Sequence, residues 1–368
     1  MAQADTSAVD VEPLLEAIEY CYEQGWTDGL PVVPPSPGLV QRFLEHTKRR
    51  PEDEIWHMPQ VYRSCTVALA AINAAMAGCR PEYFPVVLAA LDATIDEGWP
   101  GTGGWQSTTG GGPMHIVNGP VRTELGFNSM GNVFGQGFRP NATVGRAIRL
   151  IIMNVYGIVP HVLDQSTQGT PGKYTMCIAE NEEESPWEPL HVELGFPADA
   201  STVSAMHVRS SEFVDNRGTA DAEQLLNDIA DTISRTGTVI RRQKRCGVVF
   251  GPEHANLIAA QGFSKTDVKR YLAEHSGRRA SDLRRAGKGS ARRTGGPGTS
   301  QAPVPGAPDM STWAGPDDAG SDDEFVPMID SPDDLLVVVA GAGNAGVTTV
   351  CHPLGFPRHI PGRALVER

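Results

Sequence analysis

Between positions 170 and 191 the chain gathers more reactive side chains than any regular helix or strand pattern explains. A cysteine follows a lysine and a tyrosine, and glutamates and a histidine come after it: Lys173, Tyr174, Cys177, Glu180, Glu183 and His191. A thiol at the end of a short strand, followed by carboxylates on a loop, is typical of a functional site. The stretch therefore predicts an active site, although it does not identify the reaction.

The first hypothesis is thiol chemistry at Cys177, as a nucleophile or a redox thiol in a lyase or an oxidoreductase. The thiolate is the reactive form of cysteine, so a nearby cation has to lower the pKa of the thiol. Glu180 or Glu183 would move the proton, with His191 completing the catalytic set. Three residues could supply the positive charge: Lys173, His191 and Arg146.

Three other interpretations of the same stretch remain open. In a metal-dependent lyase or hydrolase, Cys177, Glu180 or Glu183, and His191 would bind zinc or iron, although their spacing matches no known ligand pattern. In a non-catalytic subunit, the chain would position a substrate for a small redox partner. Finally, most buried free cysteines only pack.

A second informative region is the segment 98–137, which holds 12 glycines in 40 residues. Glycines at this density allow the backbone to approach a ligand closely. Neither a dinucleotide-binding fingerprint nor a phosphate-binding P-loop is present, and the sequence leaves any cofactor unknown. The neutral side chains of Thr109, Asn118 and Asn132 are candidates to orient a substrate.

Charged residues outside this segment complete the predicted substrate site. Arg146 lies on an amphipathic helix expected to begin at Asn141, with Arg149 on the same flank. It could hold a substrate carboxylate, but an ion pair with the glutamates after Cys177 is the favoured interpretation. Asp28 lies in an apolar, proline-rich segment and either faces the pocket or stabilises a tight turn. Lys173 and Tyr174 would contact a small polar or anionic metabolite.

Composition bounds the possible partners and location. The 368-residue chain has a formal net charge of −13, which argues against nucleic acid and anionic membranes. No apolar run is long enough for a membrane span, and no signal peptide is evident, so a cytoplasmic location is expected. The six cysteines form no paired motif and should be free thiols. A homo-oligomer is compatible with the sequence.

The element pattern predicts a mixed α/β fold in a single large domain. Two apolar helices, expected over 62–77 and 82–95, form a helical hairpin. Residues 1–276 make the main domain, and 277–326 a disordered insertion of low complexity. Residues 327–368 return to complete the domain, with a β-hairpin around the glycine-rich turn 341–346.

Five motifs together resemble a family of large bacterial proteins that act beside small UGSC-type (seleno)proteins, which carry a Cys- or selenocysteine-Gly-Ser-Cys motif. The motifs are Gly25–Pro35, Ala77–Pro85, Ile116–Pro120, Pro140–Arg146 and Gly172–Glu182. The resemblance implies a two-component system distantly similar to the glycine and proline reductases, without implying a substrate. Because this chain lacks the Cys-Gly-Ser-Cys sequence, a separate UGSC-type subunit would have to supply that chemistry.

Overall fold

A computed structural model describes residues 12–96, 104–237, 245–288, 321–353 and 362–367. The fold belongs to the mixed α/β class, as the sequence predicts. The chain forms two compact units. Unit 1 comprises Met1–Ala179, Phe196–His207 and Gly362–Arg368, and unit 2 comprises Glu180–Gly195 and Val208–Pro361. The predicted domain boundary at residue 276 is not a boundary of either unit.

In its described residues, unit 1 contains six α-helices, a two-stranded hairpin and a sheet. Its elements are α1 (Glu12–Glu23), α2 (Pro37–Leu44), β1 (Glu54–Met58), β2 (Arg63–Thr66), α3 (Val67–Met76), α4 (Phe84–Asp96), β3 (Gly112–Asn118), α5 (Val121–Leu125), α6 (Arg139–Asn154), β4 (Cys177–Ala179), the first half of β5 (Thr202–Asp215) and β11 (Gly362–Leu365).

The sheet of unit 1 places β3 between β4 and β5. Strands β3 and β4 run parallel with His115 opposite Cys177, and β11 pairs with the first half of β5. Helices α3, α4 and α6 pack against one another, and their apolar faces are almost fully buried. This burial stabilises the scaffold that carries the loops before β3 and β4.

Unit 2 contains the second half of β5 and a layer of helices. Its further elements are α7 (Leu190–Glu193), α8 (Ala222–Ile233), β6 (Cys246–Phe250), α9 (Pro252–Ala260), α10 (Lys265–His275), β7 (Gly277–Arg279), α11 (Ala280–Arg285), β8 (Phe325–Pro327), β9 (Leu335–Val339) and β10 (Val347–Pro353). Alternate residues of β6 and β9, together with Val350 of β10, form one core with α8, α9 and α10.

The predicted hairpin between residues 335 and 351 is wrong. Strands β9 and β10 do not pair with each other, because β6 lies between them. Strand β6 runs parallel to β9 and antiparallel to β10. The glycine-rich turn 341–346 therefore connects two strands that flank a third.

Two predicted helix starts are also wrong. Residues 63–66 form β2, and the helix begins only after Thr66, whose side chain accepts a hydrogen bond from the Leu69 amide. Helix α6 begins at Arg139, so Asn141 lies inside its first turn instead of capping it. The Asn141 side chain instead bonds the backbone of Asn128 and Cys177. These tertiary contacts override the local capping preference.

The start of the predicted insertion at residue 277 is wrong as well. Strand β7 begins there and pairs with β8, while α11 follows directly. Within the predicted insertion, residues 289–320 lie outside the described residues.

Helix α1 exposes two of its large apolar side chains. Its side chains Leu14 and Leu15 are half-exposed, whereas Cys21 is buried. No helix among the described residues is long and apolar enough to cross a membrane.

Candidate functional site

Cys177 begins β4 and is buried, with 4% of its surface exposed. Burial raises the pKa of its thiol, and the neighbouring Cys79 adds to the effect. The protonated thiol is therefore the favoured form at neutral pH, opposite to what a catalytic thiolate requires. Thiol chemistry at Cys177 stays a prediction.

The cations expected to activate Cys177 have other partners. The Arg146 guanidinium bonds both carboxylate oxygens of Asp28 at 2.8 Å, and it also donates to the carbonyls of Leu30 and Pro31. The ion pair favoured for Arg146 is thus confirmed, but its partner is Asp28 and not the glutamates after Cys177. Asp28 also accepts from the Leu30 amide, which makes it the turn-stabilising residue.

The predicted acid–base residues lie in unit 2. Glu180 is 1% exposed, and its Oε2 accepts the Leu190 amide at 2.8 Å at the start of α7. His191 is equally buried, and its Nδ1 lies 3.8 Å from Glu182 Oε1. Glu183 is exposed. Glu180 therefore acts as the hydrogen-bond acceptor for a backbone amide at the start of α7.

The metal alternative finds no support in the described part of the chain. It contains no group of three His, Cys, Asp or Glu side chains that could hold a metal ion. The set of Cys177, Glu183 and His191 is therefore not assembled as a ligand cluster.

The remaining predicted substrate contacts are scattered over unit 1. Asn118 is fully buried at the end of β3, and Tyr174 is half-exposed after a turn of 3-10 helix. Asn132 adopts a positive φ of 62°, and its side chain donates to the Gln136 carbonyl, so it stabilises its own loop. Thr109 is half-buried in the glycine-rich segment, where its amide donates to Ser107 Oγ.

Lys173 belongs to a group that we call the Asp164 cluster: Arg149, Asp164, Ser166 and Lys173. Asp164 Oδ2 accepts from Arg149 Nη2 at 2.7 Å and from Lys173 Nζ at 2.5 Å. Its Oδ1 accepts from Ser166 Oγ at 2.5 Å, and Lys173 Nζ lies 2.7 Å from the same hydroxyl. One carboxylate therefore serves two cations and one hydroxyl.

Two chain segments bring this cluster together next to the glycine-rich region. The amides of Thr167 and Thr170 donate to the carbonyls of Thr108 and Gly110, which fastens segment 164–173 to segment 107–112. Gly110 has a φ of +74°, and a Cβ there would lie 2.6 Å from Gly169 Cα and 3.0 Å from Ser166 Cβ. Position 110 therefore requires glycine, because the backbone there has a positive φ and the two segments approach too closely for a side chain.

The electrostatics of the cluster follow from partial burial. Burial acts to raise the pKa of Asp164, but hydrogen bonds from Lys173, Ser166 and Arg149 outweigh it and lower the pKa to about 2. Burial also lowers the pKa of Lys173, assisted by the charge of Arg149 and opposed by Asp164. The cluster thus holds an excess positive charge in a chain whose net charge is −13.

His207 adjoins this positive region. Its ring meets Trp105 edge-on, with centroids 5.3 Å apart. Burial lowers its pKa to about 3, and the charges of Lys173 and Arg149 contribute, while a hydrogen bond to the backbone of Gly111 opposes them. A histidine in this state is neutral at physiological pH.

Sequence reasoning missed Asp164, Ser166, His207 and Trp105 as members of one neighbourhood. The available signal was an acid, a hydroxyl and a lysine within ten residues of a proline- and glycine-rich loop. Separately, a groove of about 1090 Å³ between the end of α1 and helices α2, α3 and α6 is lined by none of the predicted site residues.

No protein-family model, no curated protein and no solved structure matches this chain. The resemblance to the large partners of UGSC-type proteins therefore stays a prediction.

Proposed function

We propose that this protein is an enzyme that acts on a small anionic metabolite, and that unit 1 binds the metabolite at the Asp164 cluster. The observation that carries the proposal is the excess cation: Arg149 and Lys173 share the single carboxylate of Asp164. A small anion would restore the charge balance and receive charge-assisted hydrogen bonds.

The accessibility of the cluster supports the same proposal. The side chain of Lys173 retains 16% of its exposure, and Ser166 is half-buried, whereas Arg149 and Asp164 are nearly inaccessible. The inner pair therefore fixes the outer lysine and hydroxyl from behind. A group held in this way is oriented before the ligand arrives, which lowers the entropic cost of binding.

A purely structural ion pair is the competing explanation. It would fasten segment 164–173 to α6 through Arg149 and Asp164 alone. Lys173 is not needed for that purpose, and burying a second cation adds a desolvation cost. Ligand binding by Lys173 accounts for that cost.

The test is binding of succinate and inorganic phosphate, measured by calorimetry and by the shift in melting temperature at constant ionic strength. We expect both anions to stabilise the wild type, as mass action requires of any ligand of the folded state. The stabilisation should disappear in Lys173→Gln and persist in Lys48→Gln, which removes an exposed lysine. Equal binding by wild type and Lys173→Gln, or no binding at all, would contradict the proposal.

The need for a partner can be judged from the same protein. If the purified chain binds an anion but turns over nothing, addition of a UGSC-type subunit becomes the next experiment. Turnover by the chain alone would exclude the two-component form of the proposal.

A further inference from the structure

We infer that Ser166 is a nucleophile and Lys173 its general base, and that the reaction is hydrolysis of a carboxylic ester or amide that carries an anionic group. The inference rests on the proposed function for the place of binding and for the charge of the substrate. It adds the reaction and the role of each residue.

Ser166 and Lys173 form a hydroxyl–amine pair at hydrogen-bond distance. Lys173 Nζ donates to Ser166 Oγ at 2.7 Å, and once Lys173 is neutral the same distance allows direct transfer of the hydroxyl proton to Nζ. The Ser166 hydroxyl donates to Asp164 Oδ1 at 2.5 Å while Lys173 is protonated, and Asp164 also accepts from the Ser166 amide at 3.1 Å. Asp164 thus orients both the nucleophile and the base, which is the task of the third member of a catalytic triad.

The composition of the cluster decides which cation loses its proton. Arg149 and Lys173 compete for the carboxylate of Asp164, and a guanidinium does not deprotonate in proteins. Lys173 is therefore the group that can lose its proton. Its protonated form binds the anion in the proposed function, and its neutral fraction acts as the base. Partial burial lowers its pKa, which increases the neutral fraction at a given pH.

The steps balance without any oxidant or metal. Neutral Lys173 takes the Ser166 proton as Oγ bonds to the acyl carbon, and collapse of the tetrahedral intermediate breaks the bond to the leaving group. Lys173 gives that group the proton. Water then attacks the acyl ester and passes a proton to Lys173, which returns it to Ser166 Oγ as the acid leaves. The positive surroundings complement the negative tetrahedral intermediate.

The first experiment is labelling of the full-length protein with a fluorophosphonate probe, followed by peptide mass spectrometry. We expect the probe on Ser166. Labelling should vanish in Ser166→Ala and persist in Thr167→Ala, which removes the exposed neighbouring hydroxyl. In Lys173→Arg the charge remains but the base is lost, so the labelling rate should fall by about 100-fold or more.

The second readout needs no variant. The labelling rate of the wild type should rise with pH as Lys173 loses its proton, with a midpoint below the ordinary lysine value of 10.5. A rate that does not change with pH would remove Lys173 as the base.

The preference for a charged substrate is measured with two esters. The rate of hydrolysis of mono-4-nitrophenyl succinate should exceed that of the uncharged 4-nitrophenyl acetate.

The outcomes separate this inference from the function on which it rests. Anion binding that depends on Lys173, with no label on Ser166 at any pH, overturns the inference and leaves the proposed function standing. A label on Ser166 without preference for the charged ester supports the nucleophile and overturns the anionic substrate. Absence of both overturns both. Circular dichroism of Ser166→Ala and Lys173→Arg establishes that a lost signal does not reflect unfolding.

Discussion

At the scale of single residues, Asp164 connects the ionic and catalytic arguments. Its side chain is 2% exposed, and each of its oxygens is used: one by two cations, the other by the hydroxyl and amide of Ser166. An ionised carboxylate at this depth is stable only because these donors replace water.

This arrangement predicts a pH dependence of stability. The folded-state pKa of Asp164 is lowered from 3.8 to about 2, so the stabilisation is present above about pH 4 and is lost as the pH falls towards 2. The contribution is about 2 kcal/mol. Urea unfolding at pH 6, 5, 4 and 3 should therefore show a smaller acid-induced loss in Asp164→Asn than in wild type. The exposed Asp199→Asn is the control, and should follow the wild type.

Cys177 gives a second prediction at this scale. Because burial raises the pKa of its thiol and leaves 4% of the residue exposed, iodoacetamide at pH 7.5 should not modify it in the folded protein. Unfolding in urea should expose it to modification. Fast and selective alkylation of Cys177 in the folded protein, measured by mass spectrometry, would contradict this prediction and support thiol catalysis.

At the scale of elements, the site depends on a crossing of two loops. Segment 107–112 leads into β3, and segment 164–173 leads into the short turn before β4. Since β3 and β4 are parallel neighbours, their starts lie at the same edge of the sheet. Gly110 and Gly169 both have positive φ at the crossing.

The crossing predicts different costs for two glycine substitutions. Gly110→Ala has to accommodate a positive φ and a contact of 2.6 Å with the backbone of Gly169. Gly126→Ala meets the same backbone conformation, with a φ of +71° and no atom within 4 Å. The positive φ alone costs about 1–3 kcal/mol. Gly110→Ala should therefore lower the unfolding free energy more than Gly126→Ala, and similar losses would argue against the close crossing.

The sequence predicted local elements better than their partners. Ser36 caps α2 and Ser264 caps α10, and serine directly before a helix is a signal that the sequence shows, because capping depends on residues within one turn. Arg146 was recognised as an ion-pair residue, yet its partner Asp28 is 118 positions away and gives no local signal. Asp164 and Lys173 lie close in sequence, but the contribution of Arg149 depends on the course of the chain after α6. Pairing between residues that are far apart in the chain is therefore not predicted by a single sequence.

At the scale of the whole molecule, the elements on either side of segment 289–320 bear on whether the fold needs that segment. Strands β7 and β8 pair with Arg279 opposite Phe325. The amides of Ala280 and Ser281 donate to the carbonyls of Glu324 and Asp322, so the flanking chains are joined by main-chain hydrogen bonds. The composition of the intervening residues predicts an insertion without a core of its own.

Replacement of residues 292–318 by a short Gly-Ser linker should therefore leave the fold intact. The entropic cost of loop closure changes slowly with loop length, by about 0.6 kcal/mol for each doubling, so a shorter loop should leave stability equal or slightly higher. Melting temperature and the circular dichroism spectrum of the deletion variant measure this directly. The matched variant Gly277→Val crowds the ring of Phe325 and tests the flank itself. If the deletion lowers the melting temperature as much as Gly277→Val, the segment contributes packing and the predicted insertion is wrong.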